Sequence, residues 1–231
     1  AAAAVAAAAA AAAADGDGVA PGPDFSDLAF WTARHAQAGD LEEEWLVPSS
    51  ALIPMLLRLF PNRAAELLLP GTGSSALPLR LSDQGYHHLT ACDFCHSVVG
   101  RMRARYGEAG VDWVVMDALN LDVPSNCVDG VLDKALLDSV CCSARGPQAI
   151  AQLLAEVHRV LRPGGLYVVV SHGHARTRLP YFEASDLAWT HVETLRIPYD
   201  PIPGLREGGD EPTGASKYSV FVMQKAGGLS C

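Results

Sequence analysis

The sequence predicts an α/β fold in which a seven-stranded, mostly parallel β-sheet is covered by helices on both faces. Short apolar runs alternate with helix-like segments over most of the chain, which is the pattern of repeated βαβ units. A tight glycine turn, Gly71-Thr72-Gly73, directly follows the first of these runs. Near the end of the chain the alternation stops, and two strand-like segments predict an antiparallel hairpin.

The first 24 residues are predicted to be a tail, and the domain is placed at residues 25–231. Residues 1–14 are alanine apart from Val5, and a Gly/Pro-rich linker follows them. Alanine has a high helix propensity, but we expect this tract to have nothing to pack against, because the linker separates it from the domain. We therefore expect no function from the tail.

Each element of the domain follows from apolar spacing and from glycine and proline positions. A helical region is predicted over Phe25–Trp45, and Ser49 is placed as the cap of the next helix. The predicted helices that follow are Ser50–Phe60, Ala76–Gln84, Ser97–Tyr106 and Pro147–Leu161. The predicted strands are Ala65–Leu69, His88–Asp93, Asp112–Met116, Val128–Leu132, Leu166–Ser171, His191–Ile197 and Tyr218–Gln224. The long segment Pro198–Ser216 joins the last two strands and is either a substrate-recognition loop or an insertion.

The glycine turn and an acidic residue beyond it predict a nucleoside-binding unit. Gly71 and Gly73 let the backbone approach a ligand closely, and the helix predicted after them directs its first amides toward the same place. Asp93 ends the next strand, where a ribose needs a hydrogen-bond acceptor. The third glycine of a dinucleotide fingerprint is absent, which argues against NAD and FAD. A nucleoside without phosphates fits better, and S-adenosylmethionine is such a ligand.

Composition limits the class of protein. With 231 residues, 49% hydrophobic and 19% charged, the chain is long enough for one α/β domain with a full core. No strongly apolar run is long enough to predict a membrane span, so we expect no membrane partner. A net charge of −9 disfavours nucleic acid and suits a small molecule or a basic protein.

Two short motifs resemble metal or redox sites, and neither is interpreted as one. Cys92-x-x-Cys95 has no second pair at a suitable spacing, and the six cysteines are scattered, as in a reduced intracellular protein. His172-Gly173-His174 has no acidic or thiol companion nearby in the sequence. We therefore predict structural cysteines and no metal.

Several motifs together resemble a known family. They are Phe30-Trp31-Thr32-Ala33-Arg34-His35, Leu68-Leu69-Pro70-Gly71-Thr72-Gly73, Cys92-Asp93-Phe94, Met116-Asp117-Ala118, Leu132-Asp133-Lys134-Ala135-Leu136-Leu137-Asp138 and Val160-Leu161-Arg162-Pro163-Gly164-Gly165. The chain resembles a class I S-adenosylmethionine-dependent methyltransferase from about Phe30 to Lys225. Within that superfamily it is most similar to the translation elongation factor 1-alpha lysine methyltransferases and their citrate synthase relative. The resemblance implies a Rossmann-like sheet closed by an antiparallel hairpin.

The resemblance also implies a set of cofactor-binding residues. Gly71 and Gly73, with Thr72 between them, would lie under the amino-acid end of S-adenosylmethionine. Asp93 would hold the ribose diol, since a carboxylate can accept both hydroxyl protons. The further predicted cofactor residues are Phe94, Asp117 and Ala118 at the adenine, Asp133, and Trp31 and Arg34 in an N-terminal element that closes over the ligand.

Asp133 and Lys134 are the predicted catalytic residues, because they end a strand at the edge where open α/β sheets bind ligands. Methyl transfer depends mostly on positioning and on a deprotonated acceptor amine. Asp133 is our candidate for orienting that amine. Lys134 is either catalytic or part of an ion pair, and Asp138 either belongs to the site or caps the following turn.

The first functional hypothesis is a protein-lysine N-methyltransferase, which would act on an intracellular protein. A basic translation factor is one candidate substrate, the cytoplasm the expected compartment and the mitochondrion its alternative. The second hypothesis is a small-molecule methyltransferase. The third is a non-catalytic scaffold within a larger complex, which the unusual Pro70 and Thr72 of the glycine loop make credible.

Overall fold

The computed structural model describes residues 4–5, 24–25, 27–38, 44–143, 145–198 and 217–227. The helices in these ranges are α1 (Leu28–Ala38), α2 (Ser49–Leu59), α3 (Leu77–Asp83), α4 (His96–Tyr106), α5 (Leu136–Cys141), α6 (Gly146–Val160) and α7 (Ala175–Glu183). The strands are β1 (Glu66–Pro70), β2 (His88–Asp93), β3 (Val111–Val115), β4 (Val128–Lys134), β5 (Leu161–Ser171), β6 (Trp189–Pro198) and β7 (Lys217–Lys225).

The strands form one seven-stranded sheet in the order β3-β2-β1-β4-β5-β7-β6. The first five pair in parallel, whereas β7 is antiparallel to both β5 and β6. The predicted fold class is therefore confirmed, including the C-terminal hairpin. The strand order reverses between β1 and β4, and ligands of open α/β sheets bind outside the carboxyl ends of the strands at such a point.

Two apolar clusters cover the two faces of the sheet. Leu67 and Leu69 belong to one cluster and Leu68 to the other, as alternation along a buried strand requires. The first cluster packs against α2, α3 and α4, and the second against α6 and α7. Both faces of β1 are therefore buried, and only its carboxyl end is left for a ligand.

The structure differs from the sequence prediction in several places. The short helices α5 and α7 were not predicted. β5 begins at Leu161 rather than at Leu166, because the Pro163–Gly165 turn forms a bulge between two residues that both pair with β4. The prediction that Ser49 caps α2 is wrong: Pro48 occupies the cap position, and the Ser49 hydroxyl donates to Glu44 instead, at 2.6 Å.

The alanine-rich tract is described only at residues 4 and 5, which are helical. Val5 is fully buried in the second apolar cluster, so the expectation that this tract has nothing to pack against is wrong for Val5. The segment proposed for substrate recognition, 199–216, lies outside the described residues. None of the described helices is long and apolar enough to cross a bilayer.

Candidate active site

A cavity of about 180 Å³ opens at the carboxyl edge of the sheet. The ends of β1, β2 and β4 and the loop after β3 form its floor, while α5 and the N-terminal segment form its walls. Its lining residues include the predicted Trp31, Gly71, Thr72, Gly73, Asp93, Phe94, Asp117, Ala118 and Lys134. The structure therefore brings most of the predicted site together; Arg34 and Asp133 are not among the lining residues.

The glycine loop follows β1 and has the backbone that only glycine adopts easily. Gly71 and Gly73 have φ values of 61° and 51°. A Cβ atom at Gly71 would lie 2.8 Å from Leu136 Cδ1, and one at Gly73 would lie 3.3 Å from His35 Cε1. Side chains at these two positions would therefore be strained and would crowd the wall of the cavity. Pro70 and Thr72 line the cavity without closing it.

Asp93 connects the end of β2 to the glycine loop. Its carboxylate accepts the Gly73 N–H at 3.0 Å and the Cys95 N–H at 2.9 Å, and the residue is 6% exposed. Burial raises the pKa of Asp93, and these backbone donors oppose that shift. The side chain is thus fixed at the cavity wall, in a position that suits the predicted acceptor of the ribose hydroxyls.

The loop after β3 supplies the next part of the wall. The Met116 N–H donates to the Asp93 carbonyl at 3.0 Å, which ties the loop to β2. The Asp117 carboxylate accepts the Leu119 N–H at 2.9 Å in a local turn, and Ala118 is buried beside it. Asp117 and Ala118 both line the cavity, and their contact with the adenine stays a prediction.

Aromatic side chains of the N-terminal segment form the opposite wall. Trp31 is stacked on His35 with ring centroids 5.7 Å apart, and its ring lies 5.8 Å from those of Phe25 and Trp45. All four rings line the cavity, whereas the Arg34 guanidinium lies over Trp45 at 4.6 Å and outside the lining. The prediction that Arg34 contacts the cofactor is therefore not supported by its position.

His35, Phe25 and Trp45 were not predicted as site residues. Burial, together with the charges of Arg101 and Arg34, lowers the pKa of His35 to about 4, so its imidazole is neutral at pH 7. The sequence signal for His35 was its position one helical turn after Trp31, which places both on one face of α1. Trp45 had no comparable signal, because it follows α1 in an irregular segment.

Lys134 lines the cavity at the end of β4 and forms an ion pair with Glu44. The side chains are 7% and 21% exposed, respectively. Glu44 also accepts hydrogen bonds from the Ser49 hydroxyl at 2.6 Å and the Ser75 hydroxyl at 3.3 Å. This cluster joins the N-terminal segment to α2, the glycine loop and β4. Of the two alternatives for Lys134, the structure shows the ion pair.

Asp133 does not have the position predicted for a residue that orients the acceptor amine. It is 1% exposed, and its carboxylate accepts the Leu136 N–H at 2.8 Å, the Leu137 N–H at 3.0 Å and the Tyr167 O–H at 2.6 Å. Side chains alternate along a strand, so Lys134 faces the cavity while Asp133 faces the second apolar cluster. Asp133 thus anchors the start of α5, and we withdraw both its catalytic and its cofactor-binding assignment.

Asp133 should make stability depend on pH. Burial raises its pKa to about 7, against the opposing effect of its hydrogen-bond donors. Because the folded-state pKa is the higher one, the protonated form favours folding, and this contribution is lost as pH rises from about 4 to about 7. Relative to Asp133→Asn, the wild-type free energy of unfolding should fall by up to about 1.4 kcal/mol per pH unit in that range. Urea unfolding of both proteins at pH 5, 6, 7 and 8 measures the difference, and parallel pH curves would contradict it.

Asp138 belongs to a separate buried cluster behind α5. Its carboxylate accepts hydrogen bonds from Ser171, from the His172 backbone and ring at 2.9 and 2.7 Å, and from Arg178 Nη2 at 3.0 Å. Burial alone would raise the pKa of Asp138, but the hydrogen bond and charge of His172 and the charge of Arg178 lower it overall. Neither alternative in the sequence analysis fits Asp138, because it lies outside the lining of the cavity and, among the described residues, its carboxylate binds the end of β5 and α7.

The cysteine and histidine motifs make structural contacts in the described residues. Cys92 and Cys95 are buried, and burial with the nearby Asp93 charge raises the pKa of Cys92 to about 12, which is the behaviour of an inert structural thiol. His172 binds Asp138, and His174 Nδ1 lies 3.3 Å from Arg196. Within the described ranges, no three His, Cys, Asp or Glu side chains are grouped to hold a metal ion.

Comparison with known proteins identifies the chemistry of the cavity. Residues 68–169 match the family described as "Methyltransferase domain", and this range runs from β1 to β5. The chain is an S-adenosylmethionine-dependent methyltransferase. Its cofactor is S-adenosylmethionine. The cavity of this methyltransferase is lined by a glycine loop that side chains would obstruct, by the fixed Asp93 carboxylate at the end of β2 and by Asp117 in the loop after β3.

Several curated proteins are similar to this methyltransferase in sequence. "Methyltransferase srdJ" of Neurospora crassa is 29% identical over 69% of this chain and 72% of its own length. "EEF1A lysine methyltransferase 4" of Mus musculus is 29% identical over 72% of this chain and 69% of its own. The "eEF1A lysine and N-terminal methyltransferase" of Danio rerio is 32% identical, but the match spans only 21% of that longer protein.

Solved structures at lower identity share the fold of this methyltransferase. The 1,6-didemethyltoxoflavin-N1-methyltransferase of Burkholderia thailandensis, solved with S-adenosylhomocysteine, gives a TM-score of 0.60 at 20% identity over 92% of this chain and 93% of that one. A TehB-like methyltransferase of Corynebacterium glutamicum gives a TM-score of 0.55 at 18% identity. The match covers 87% of this chain and 97% of that one.

Proposed function

We propose that this methyltransferase transfers the methyl group to a lysine side chain of an intracellular protein, with elongation factor 1A as the first candidate. The observation that carries the proposal is the similarity to "EEF1A lysine methyltransferase 4", which extends over 72% of this chain and 69% of that relative. A second relative named for eEF1A lysine methylation supports the same acceptor class. The cytoplasm remains our proposed compartment.

The aromatic wall of the cavity suits a lysine acceptor. Phe25, Trp31 and Trp45 present a contiguous aromatic surface beside the end of β4. Such rings pack against the alkyl part of a lysine and attract its ammonium group through the negative charge of their faces. The Arg34 guanidinium already lies over Trp45 in this way.

When bound, S-adenosylmethionine supplies a methyl group on a positively charged sulfur. Asp93 and the loop containing Asp117 would hold the nucleoside, and the Gly71–Gly73 backbone would lie beside its amino-acid part. A lysine amine has an ordinary pKa near about 10.4, so it must lose a proton before it can attack. Among the described lining residues, the neutral His35 is a weak base and Lys134 is already paired, so these residues contribute positioning and desolvation rather than strong base catalysis.

Transfer of a labelled methyl group tests the acceptor. The purified chain is incubated with methyl-tritiated S-adenosylmethionine and either purified elongation factor 1A or the small-molecule fraction of a lysate. We expect the label in the protein and, after hydrolysis, in methyllysine. Label found only in small molecules would contradict the lysine proposal. The Asp93→Asn variant serves as the control with impaired cofactor binding.

A further inference from the structure

The Glu44–Lys134 pair puts two opposite charges beside a cavity that must hold a cation. Lys134 ends β4 and lines the cavity, and its side chain is 7% exposed. Glu44 precedes α2 and reaches Lys134 from the N-terminal segment. Among the described residues, Glu44 is the acidic partner of Lys134. Its carboxylate therefore balances the Lys134 charge at this wall.

The charge in this wall matters because the substrate cofactor and its product differ mainly in charge. S-adenosylmethionine carries a sulfonium and has a net charge of +1, whereas S-adenosylhomocysteine has a neutral sulfur and a net charge of zero. An unbalanced ammonium in the wall would repel the former and leave the latter almost unaffected. Interactions of this kind are strong in a cavity of low dielectric constant and weak in water.

Because the Lys134 side chain is buried, its charged form needs an acidic partner to stabilise it. Desolvation lowers the pKa of Lys134, while the charge and hydrogen bond of Glu44 act in the opposite direction. The Ser49 and Ser75 hydroxyls hold the Glu44 carboxylate in place at 2.6 and 3.3 Å. The acidic partner is thus itself anchored from two sides, by α2 and by the glycine loop.

We propose that Glu44 raises the affinity of this enzyme for S-adenosylmethionine relative to S-adenosylhomocysteine, because its carboxylate neutralises the Lys134 ammonium at the cavity wall. Glu44 is a specificity-determining residue that acts through Lys134. The proposal depends on the cofactor and not on the acceptor, so it holds whether the methyl group goes to a protein or to a small molecule. It also explains why a lysine is tolerated beside a cationic ligand.

Calorimetric titration with each of the two ligands tests the proposal without any measurement of activity. The quantity compared is the ratio of the S-adenosylmethionine affinity to the S-adenosylhomocysteine affinity. In Glu44→Gln this ratio should fall by about three- to tenfold, the effect of one unit charge in a partly buried wall. In Lys134→Met it should rise, because Glu44 is then unbalanced, and in the double variant it should return to near the wild-type value.

A matched control is Glu193→Gln. Glu193 pairs with the exposed Arg58, with Oε1 and Nη2 2.5 Å apart, and its substitution should leave the ratio of the two affinities unchanged. If the ratios of Glu44→Gln and Lys134→Met differ by less than about threefold, the proposal is wrong. In particular, an equal loss of affinity for both ligands in each variant would mean that the pair is only a structural link. Thermal melting of each variant confirms that it is folded before titration.

Discussion

Replacing Arg178 by Met is expected to lower the free energy of unfolding by about 3–5 kcal/mol, which is among the largest effects of any substitution in this chain. Arg178 is 7% exposed, and its guanidinium donates to Asp138 from Nη2 at 3.0 Å and from Nε at 3.2 Å. Without it, the carboxylate of Asp138 stays buried with His172 as its remaining ionisable partner. The cluster joins α5, the end of β5 and α7, so all three elements should be loosened.

The double variant Asp138→Asn/Arg178→Met separates the burial of a charge from the loss of packing. It removes both charges, so it should be clearly more stable than either single variant. Arg176→Met on the same helix is the matched control, because that side chain is exposed and should change stability by less than about 0.5 kcal/mol. Guanidinium unfolding followed by circular dichroism measures these four variants, Asp138→Asn included, and the wild type. If Arg178→Met lost no more stability than Arg176→Met, the buried pair would not stabilise the fold.

The first three strands could be predicted from sequence because each is a short segment with buried apolar residues. β2 was predicted with its observed bounds, and β1 and β3 are displaced by one residue. The helices α5 and α7 were not predicted, because α5 has only six residues and α7 contains Pro180 and two arginines. Other contacts stabilise them: the Asp133 carboxylate, just before α5, accepts the first amides of that helix, and α7 buries its own Arg178, Tyr181 and Phe182 against the domain.

The candidate site was predictable where function depends on the backbone and on strand ends. Gly71, Gly73 and Asp93 are recognisable because a close backbone approach needs glycine and because parallel strands end at one edge. Asp133 was misplaced, since its position at a strand end does not say which face its side chain takes. Side chains alternate along Leu132, Asp133 and Lys134, so the face of Asp133 could be assigned only if the face of one neighbour were already known. Glu44 lies far from Lys134 in sequence, so their pairing could not be predicted.

Substituting Asn for Asp93 is expected to weaken the binding of S-adenosylmethionine by about 10- to 100-fold, which is the loss of one or two hydrogen bonds to a charged group. The carboxylate is fixed at the cavity wall by the Gly73 and Cys95 amides, at 3.0 and 2.9 Å. Asn is nearly the same size, but Gly73 and Cys95 donate to different oxygens of the Asp93 carboxylate, so Asn keeps only one of these two hydrogen bonds. Thermal melting therefore establishes that the variant is folded before titration. Asn cannot accept both ribose hydroxyl protons, because its NH₂ group is a donor.

The same substitution should weaken S-adenosylhomocysteine to the same degree, because the two ligands share the ribose. This distinguishes Asp93 from Glu44, for which only the ratio of the two affinities should change. Asp112→Asn on the neighbouring strand is the control, since Asp112 is exposed and lies outside the cavity. Calorimetric titration of both ligands into both variants decides the question. Wild-type affinity in a folded Asp93→Asn protein would mean that the ribose is held elsewhere, and the placement of the nucleoside along β2 would have to be abandoned.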